Sequence, residues 1–333
     1  MPRVAVVVNA HARRFVERKE RLDRLADLAR GRAAFHVTRT RAELAEVARA
    51  CRDAEVDAVL LSGGDGSYGA GATALAEAYG DRPLPLLALG PGGTVGTVPR
   101  TLGLAAPGEL EDAFAQLLDA ALCGRHQVRS TPTLAVRAAE GPSRLAFIFG
   151  SGLVARFFAL YDARAATRPD DEFSGPSGGG GYAAAARIVA RVFVESFYGG
   201  SYARSVLEPI PCDVFVDGAH LPWRGSTLIV ASVIDDLGMG MRVTFRAGED
   251  PARPHAVVSG LAPRTLGPRM FRVLRGRTIG EAGEPHFDGL VGALRVEFPG
   301  DGGPFVVDGD VRRARSVEVT AGPVVRLLRL TRP

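Results

Sequence analysis

Two short glycine-rich segments, each directly after an apolar run, contain the residues of this sequence best suited to chemistry. The first is GGDGS at residues 63–67, and the second is PGGT at residues 91–94. Consecutive glycines let backbone N–H groups turn toward an anion without obstruction by a Cβ atom. A helix that starts directly afterwards adds positive potential at its N-terminus. We therefore expect both segments to bind phosphate groups.

Asp65 stands inside the first segment, where a negative charge is unusual for an anion site. A carboxylate beside phosphates can accept a hydroxyl proton or help to hold Mg²⁺. The alternative is an ordinary turn from strand to helix, with Asp65 as the helix N-cap. The second glycine segment favours the phosphate interpretation.

Three common glycine motifs fit this sequence poorly. Gly64, Gly66 and Gly69 match G-x-G-x-x-G, but the match is not at the first strand, and the next strand ends on Gly90 instead of the acid that a dinucleotide site needs. A P-loop and a protein kinase both require a lysine, and Lys19 is the only lysine in the chain.

Apolar runs and helical periodicity alternate through the first third of the chain, which is typical of a parallel sheet covered on both faces. The predicted strands are 4–8, 34–37, 56–61 and 84–89, and the predicted helices are 14–30, 43–51, 68–78 and 110–122. The pattern predicts a Rossmann-like three-layer α/β domain over residues 1–125.

Beyond Gly124 the pattern changes to short apolar runs separated by turn residues, which predicts an antiparallel β-sandwich or barrel over residues 126–320. The expected strands are 133–136, 144–149, 212–216, 227–233, 242–246, 256–259, 293–298, 305–307 and 316–320. One helical insertion, 182–197, follows the glycine-rich residues 174–181. We expect the active site in the cleft between the two domains.

Composition fits a folded protein of two domains, with 333 residues, 46% hydrophobic and 23% charged. No apolar window reaches the roughly 18 residues of a membrane span, and the N-terminus does not resemble a signal peptide, so we expect a cytoplasmic location. The three cysteines and six histidines form no disulfide or zinc pattern.

The net charge of +4 arises almost entirely from arginine. No dense basic run with interleaved aromatic residues is present, so we do not expect nucleic acid as a partner. A mildly basic surface favours anionic membranes or phosphorylated ligands.

Residues 91–103, PGGTVGTVPRTLG, resemble the P-x-G-T-x-N-x-x-A-R-x-L-G block of the diacylglycerol kinase catalytic domain family, which includes bacterial lipid kinases and sphingosine kinases and is distantly similar to NAD kinases. GGDGS resembles the family's GGDGT. VVNA at 7–10, SGLVARFF at 151–158 and FVVDGD at 305–310 resemble further family elements, in family order.

The resemblance implies transfer of the γ-phosphoryl group of ATP, with Mg²⁺, to a lipid hydroxyl, in the two-domain fold expected above. It also implies that residues 321–333 return to the first domain. The nucleotide contacts that it implies are Asn9, Thr38 (with Thr40 as a rival), Gly63, Gly64, Asp65, Gly66, Ser67, Thr94 and Asp308.

Asp65 and Asp310 are the two candidates for the catalytic base under this resemblance. Asp308 would hold Mg²⁺ or orient Asp310. The alternative for Asp308 and Asp310 is that they form an ordinary β-turn. Asp235 and Asp236 match a family magnesium region more weakly, and a solvated turn is their alternative.

Three arginines are candidate substrate contacts. Arg156 stands where sphingosine-kinase-like members carry an acid, so we expect a neutral or anionic acceptor rather than a sphingoid amine. Arg187 and Arg191 lie one helical turn apart and would clamp the ATP phosphates. A solvated surface is the alternative for all three.

The chain departs from the family pattern at Ala10, Gly69, Gly96 and Asp310. Our main expectation is nevertheless an ATP-dependent kinase of diacylglycerol or a related lipid, acting at the inner membrane surface. The sequence does not indicate the oligomeric state, although the resemblance makes a homodimer a candidate because family members often dimerise. The alternatives are a small-molecule kinase similar to NAD kinase, and a non-catalytic relative that binds nucleotide or lipid.

Overall fold

The computed structural model describes residues 2–93, 96–167, 180–198 and 200–331. The chain divides into two compact units, the first formed by Met1–Thr131 with Val324–Pro333 and the second by Pro132–Pro323.

The strands are β1 Val4–Asn9, β2 Ala34–Thr38, β3 Ala58–Ser62, β4 Leu86–Gly90, β5 His126–Thr131, β6 Leu134–Ala138, β7 Arg144–Ala146, β8 Ile148–Gly152, β9 Asp213–Val216, β10 Ala219–His220, β11 Leu228–Ser232, β12 His255–Ser259, β13 His286–Leu290, β14 Ala293–Glu297, β15 Gly303–Val307, β16 Asp310–Ala314, β17 Ser316–Ala321 and β18 Val325–Leu330. The helices are α1 Arg13–Glu17, α2 Glu20–Ala29, α3 Arg41–Asp53, α4 Asp65–Tyr79, α5 Thr97–Thr101, α6 Leu110–Cys123, α7 Leu153–Thr167, α8 Gly180–Tyr198, α9 Ser201–Leu207, α10 Pro263–Leu266 and α11 Met270–Leu274.

The first unit is a six-stranded sheet in the order β2-β1-β3-β4-β18-β5. All of these strands run parallel except β5, which pairs antiparallel with the C-terminal strand β18. Helices α2 and α6 pack together, and α3 packs against α4, so helices cover the sheet as separate pairs. This is the α/β fold that the alternating pattern predicts.

Strands β1, β3 and β4 are apolar along almost their whole length because helices cover both faces of this sheet. One core cluster joins Val6, Leu60 and Ala88 to Phe15 of α1 and Phe114 of α6. This packing fixes the carboxyl ends of the central strands, where the glycine segments begin.

The second unit contains two six-stranded sheets, ordered β10-β9-β14-β17-β6-β7 and β13-β12-β11-β8-β15-β16. Every strand pair in both sheets is antiparallel, as the short alternating runs predict. A second core cluster joins Val230 and Val257 of the latter sheet to Ile188 of α8 and Leu207 of α9. The helical insertion therefore covers one face of that sheet.

Several predicted elements were wrong in detail. The predicted strand 242–246 forms turns, and the Arg246 N–H donates to Nδ1 of the buried His255 ring instead of to a backbone carbonyl oxygen. The single helix predicted over 14–30 is two helices that break at Arg18 and Lys19. Helix α7 follows β8 directly and was not predicted.

Within the part of the chain that the structure describes, no helix is long and apolar enough to cross a membrane.

Candidate phosphate-binding site

The site lies at the carboxyl edge of the parallel sheet in the first unit. Asn9 ends β1 beside Thr38, which ends β2, and Ser62 ends β3 beside Gly90, which ends β4. Because parallel strands end at the same edge, the turns that follow β3 and β4 are neighbours. The sequence predicted this grouping of Asn9, Thr38 and the two glycine segments.

The two glycine turns contact each other backbone to backbone. The Gly93 N–H donates to the Gly63 carbonyl oxygen over 2.8 Å. A Cβ atom added to Gly92 would lie 2.8 Å from the Gly63 Cα atom, and one added to Gly93 would lie 2.6 Å from the Gly64 Cα atom. A side chain on Gly92 or Gly93 therefore has no room between the turns, which explains the two glycines of the second turn.

The Ser67 hydroxyl connects the first turn to the end of β1. Its Oγ accepts a hydrogen bond from Asn9 Nδ2 over 2.9 Å and from the Gly64 N–H over 3.3 Å. The Asn9 Oδ1 atom in turn accepts the His11 N–H over 3.0 Å. Asn9 therefore caps its own strand end and also positions Ser67.

Tyr68 is a positioning residue that the sequence reasoning missed. Its buried hydroxyl donates to the Gly90 carbonyl oxygen over 2.8 Å and lies 3.2 Å from that of Gly63. The ring therefore holds the ends of β3 and β4 together beneath both turns. Tyr68 was assigned only to a helix of small residues, and its hydroxyl was the signal that could have revealed it.

Helix α4 starts directly in the first turn, with Gly64 as its N-cap and Asp65 as its first residue. The Ser67 N–H bonds to the Gly64 carbonyl oxygen, but the N–H groups of Asp65 and Gly66 belong to the first turn, where a helix supplies no acceptor. These two donors, at the positive end of a 15-residue helix, are suited to bind an anion.

Asp65 caps α5, whereas the alternative interpretation made it the N-cap of α4. Its two carboxylate oxygens accept the N–H groups of Thr97 and Val98, over 2.9 and 3.0 Å, at the start of α5. The expectation that Asp65 is the N-cap of α4 was therefore wrong. Burial raises the pKa of the Asp65 carboxyl, and the Thr97 and Val98 N–H groups and the charge of Arg100 oppose that rise.

Thr38 and Thr40 were rivals for one nucleotide contact, and the structure gives them different surroundings. The buried Thr38 hydroxyl donates to the Val8 carbonyl oxygen over 3.4 Å, directly beside Asn9. The Thr40 hydroxyl accepts the Glu43 N–H over 3.1 Å as the N-cap of α3. Each hydroxyl therefore already bonds within the protein, and the choice between the two threonines as a nucleotide contact stays a prediction.

The backbone of Arg14 contacts the second glycine turn, which the sequence reasoning also missed. Its backbone N–H donates to the Gly92 carbonyl oxygen over 3.2 Å. Burial lowers the pKa of the Arg14 guanidinium, and the like charges of Arg21 and Arg100 lower it further, against the acid Glu109. An anion bound at the turn would relieve this repulsion.

Thr94, another predicted nucleotide contact, lies outside the described residues.

In the second unit, Asp308 and Gly309 form the two-residue turn of the β15–β16 hairpin. Both have positive φ angles, 47° and 92°, as in a type I′ turn. The buried Asp308 Oδ1 accepts the N–H groups of Phe147 and Ile148, over 2.9 and 2.8 Å. Asp308 thus lies in a β-turn, which was the alternative to a role in binding Mg²⁺. Its carboxylate connects the hairpin to β8.

Asp310 starts β16, and its side chain is exposed, with the Arg312 guanidinium 3.5 Å away. This carboxylate accepts no backbone N–H group within the described residues, and its role as a base stays a prediction.

The carboxylates proposed as metal ligands have protein partners. Asp235 forms an ion pair with Arg242 over 3.1 Å, and the Asp236 Oδ1 atom accepts the Gly238 N–H over 2.8 Å. Among the described residues, no group of three or more His, Cys, Asp or Glu side chains could hold a metal ion. The described residues thus do not form an all-protein magnesium site. In enzymes that act on nucleotides, Mg²⁺ is usually held by one or two carboxylates together with the substrate phosphates.

The three predicted substrate arginines lie in the helical part of the second unit. Arg156 donates to the Glu208 and Val206 carbonyl oxygens at the end of α9. These bonds give Arg156 a structural role that does not require a bound lipid substrate. Arg191 pairs with Glu195 over 2.8 Å. Arg187 is exposed. Residues 174–179 of the preceding glycine-rich segment lie outside the described residues.

Comparison with known proteins supports the family named above. Residues 3–123 match the family model "Diacylglycerol kinase catalytic domain". No curated protein matches the chain. The resemblance drawn from the two glycine segments is confirmed for this part of the sequence.

Solved structures share the fold over nearly the whole chain. A diacylglycerol kinase from Bacillus anthracis str. Sterne is 13% identical with a TM-score of 0.57, over 98% of this chain and 96% of that one. Two structures from the same organism, provisionally assigned as diacylglycerol kinases, are 14% identical with TM-scores of 0.58 and 0.61, over 98% of this chain and 97% of theirs. At this identity the likeness establishes the fold, an α/β unit followed by antiparallel sheets.

Proposed function

We propose that this chain, whose residues 3–123 match a diacylglycerol kinase catalytic domain, transfers the γ-phosphoryl group of ATP to a hydroxyl of diacylglycerol or a related lipid. The observation that carries the proposal is the pair of glycine turns in backbone contact at the start of α4, inside the matched domain. Beside this contact, α4 begins with the N–H groups of Asp65 and Gly66, which is the arrangement that a helix N-terminus offers to phosphate groups.

The described residues fit the phosphates of a nucleotide. The N–H groups of Asp65 and Gly66 would donate to phosphate oxygens, and Arg14 would supply compensating charge beside the second turn. Bound with those phosphates, Mg²⁺ would neutralise part of their charge. The chain's own contribution is to hold the phosphates in position, which is the main source of catalysis in phosphoryl transfer.

We infer that Asp310 is the catalytic base and that Asp65 is a positioning residue. In the reaction, the acceptor oxygen forms a bond to the γ-phosphorus, the bond from that phosphorus to the bridging oxygen breaks, and ADP leaves. The hydroxyl proton passes to a carboxylate. Asp65 uses both oxygens to hold α5, whereas the exposed Asp310 carboxylate accepts no described backbone N–H group.

The test is transfer from labelled ATP, with Mg²⁺, to diacylglycerol, a sphingoid base and NAD in parallel. We expect labelled diacylglycerol, loss of label in Asp310→Asn, and normal labelling in Asp301→Asn, a control that changes an exposed aspartate at the turn before β15. Label on NAD would instead support a small-molecule kinase. ATP binding without transfer to any acceptor would support a non-catalytic relative, and in either case the proposal fails.

A further inference from the structure

The short helix α11 presents two large apolar side chains to solvent. Phe271 is 52% exposed and Leu274 is 45% exposed, which places them among the most exposed large apolar residues of the described chain. Val273, between them, is buried in the core cluster of the second unit. The helix is therefore anchored through one side while its other side offers apolar surface.

A neighbouring turn, residues 238–242, extends this surface. A Cβ atom added to Gly240 would lie 4.0 Å from Leu274 Cδ2, and one added to Gly276 would lie 3.4 Å from the Arg242 Cζ atom. Met241 packs against the same core cluster as Val273. The turn and α11 thus form one continuous surface, which we call the α11 face.

The α11 face also carries positive charge that the protein does not neutralise. Arg269 pairs with Glu284, and Arg272 pairs with Glu281 over 2.7 Å. Arg275 and Arg277, which follow α11 directly, are exposed and form no ion pair within the described residues. Their guanidinium groups therefore remain available beside the exposed apolar side chains.

We propose that the α11 face docks the protein on the surface of an anionic lipid bilayer. Phe271 and Leu274 would enter the boundary between headgroups and acyl chains, and Arg275 and Arg277 would contact lipid phosphates. Exposed apolar side chains followed by two exposed arginines are complementary to such a surface, whereas a soluble acidic protein would match only the charge. The inference rests on the proposed function in one respect, that a membrane lipid is the acceptor.

Docking is tested by co-sedimentation of the full chain with vesicles of phosphatidylcholine and phosphatidylglycerol in equal parts, without ATP. We expect Phe271→Ser to weaken binding roughly tenfold or more, because its apolar surface no longer leaves water. Val128→Ser is the matched control, since Val128 is also 52% exposed but lies on β5 of the first unit, and it should bind like the wild type.

The charge is tested in the same assay with Arg275→Gln and Arg277→Gln, each expected to weaken binding roughly fivefold. Arg49→Gln, at an exposed position on α3, is the control and should have no effect. Added salt should weaken wild-type binding, and vesicles of phosphatidylcholine alone should bind much less. Failure of the wild type to bind, or equal binding by the α11 variants, would overturn the proposal.

A second measurement separates this proposal from the kinase proposal. Phosphorylation of a short-chain diacylglycerol in detergent needs no bilayer, so Phe271→Ser should keep wild-type activity there while losing activity on vesicles. Vesicle binding without any kinase activity would leave docking standing and reject the kinase. Kinase activity in detergent with no vesicle binding would support the kinase proposal and reject docking.

Discussion

The carboxylate of Asp65, at the start of α4, accepts the backbone N–H of Thr97, at the start of α5, over 2.9 Å. The second oxygen accepts the Val98 N–H over 3.0 Å. One side chain thereby connects the helices that follow the two glycine turns. Asp65 has a defined role in assembling the site before any chemistry is considered.

Asp65→Ala should lower the free energy of unfolding by about 1–2 kcal/mol, because two N–H groups of α5 lose their acceptor. Asp65→Asn keeps one acceptor oxygen and should lie between the wild type and Ala. Urea unfolding measures the stability. In kinase assays we expect KM for ATP to rise more than kcat falls. If Asn abolishes kcat while KM and stability stay unchanged, Asp65 is the base and the positioning role is wrong.

Ionisation of Asp65 should make the free energy of unfolding of the wild type depend on pH. Burial raises the pKa of Asp65 above its unfolded value of about 3.9, so the folded state favours the protonated carboxyl. The stability contributed by this group is complete below the unfolded pKa and is lost as pH rises through the folded pKa.

The measurement is urea unfolding at a series of pH values above about 4, for the wild type and Asp65→Asn. The wild type should lose stability relative to the Asn variant as pH rises, since only the wild type ionises there. A difference between the two proteins that stays constant with pH would contradict the prediction.

Gly93→Ala should destabilise the first unit by about 1–3 kcal/mol, because the new Cβ would lie 2.6 Å from the Gly64 Cα atom and force the turns apart. The matched control is Gly64→Ala on the opposite turn, whose Cβ would find the Gly93 Cα atom at 3.6 Å, an ordinary contact. Thermal or urea unfolding compares the two. Equal stability of both variants would show that the turns are not in close contact.

Tyr68→Phe should cost about 1–2 kcal/mol and raise KM for ATP, because the Gly90 carbonyl oxygen loses its buried donor at the base of both turns. Tyr79→Phe is the control on the same helix, since the buried Tyr79 hydroxyl has no hydrogen-bond partner among the described residues. Its removal should be neutral or stabilising. A Tyr68→Phe variant with wild-type KM would reject the positioning role.

Features of the fold and the site that depend on adjacent residues were predicted from the sequence. Features that depend on contacts between residues far apart in the chain were not predicted. Apolar runs ending in glycine located the site because strand burial and glycine turns depend on adjacent residues. The contacts from Asp65 to Thr97 and from Tyr68 to Gly90 span 32 and 22 positions, so no local pattern reveals them. The alternation at residues 242–246 resembled a strand, but its polar groups bond to β12 and to the Ile234 carbonyl oxygen.

The departure from the family pattern at Gly96 should be reversible without loss of stability. Gly96 is the N-cap of α5 with φ of 61° and ψ of 51°, a left-handed conformation that asparagine accepts better than most residues. The nearest atom to an added Cβ is Pro99 Cγ at 3.7 Å, so space is available. Gly96→Asn should therefore cost less than about 1 kcal/mol, whereas Gly96→Val, β-branched and of similar size, should cost about 2 kcal/mol or more. Urea unfolding of both variants measures this, and an Asn variant as unstable as Val would show that the family asparagine needs a different backbone from the one at Gly96.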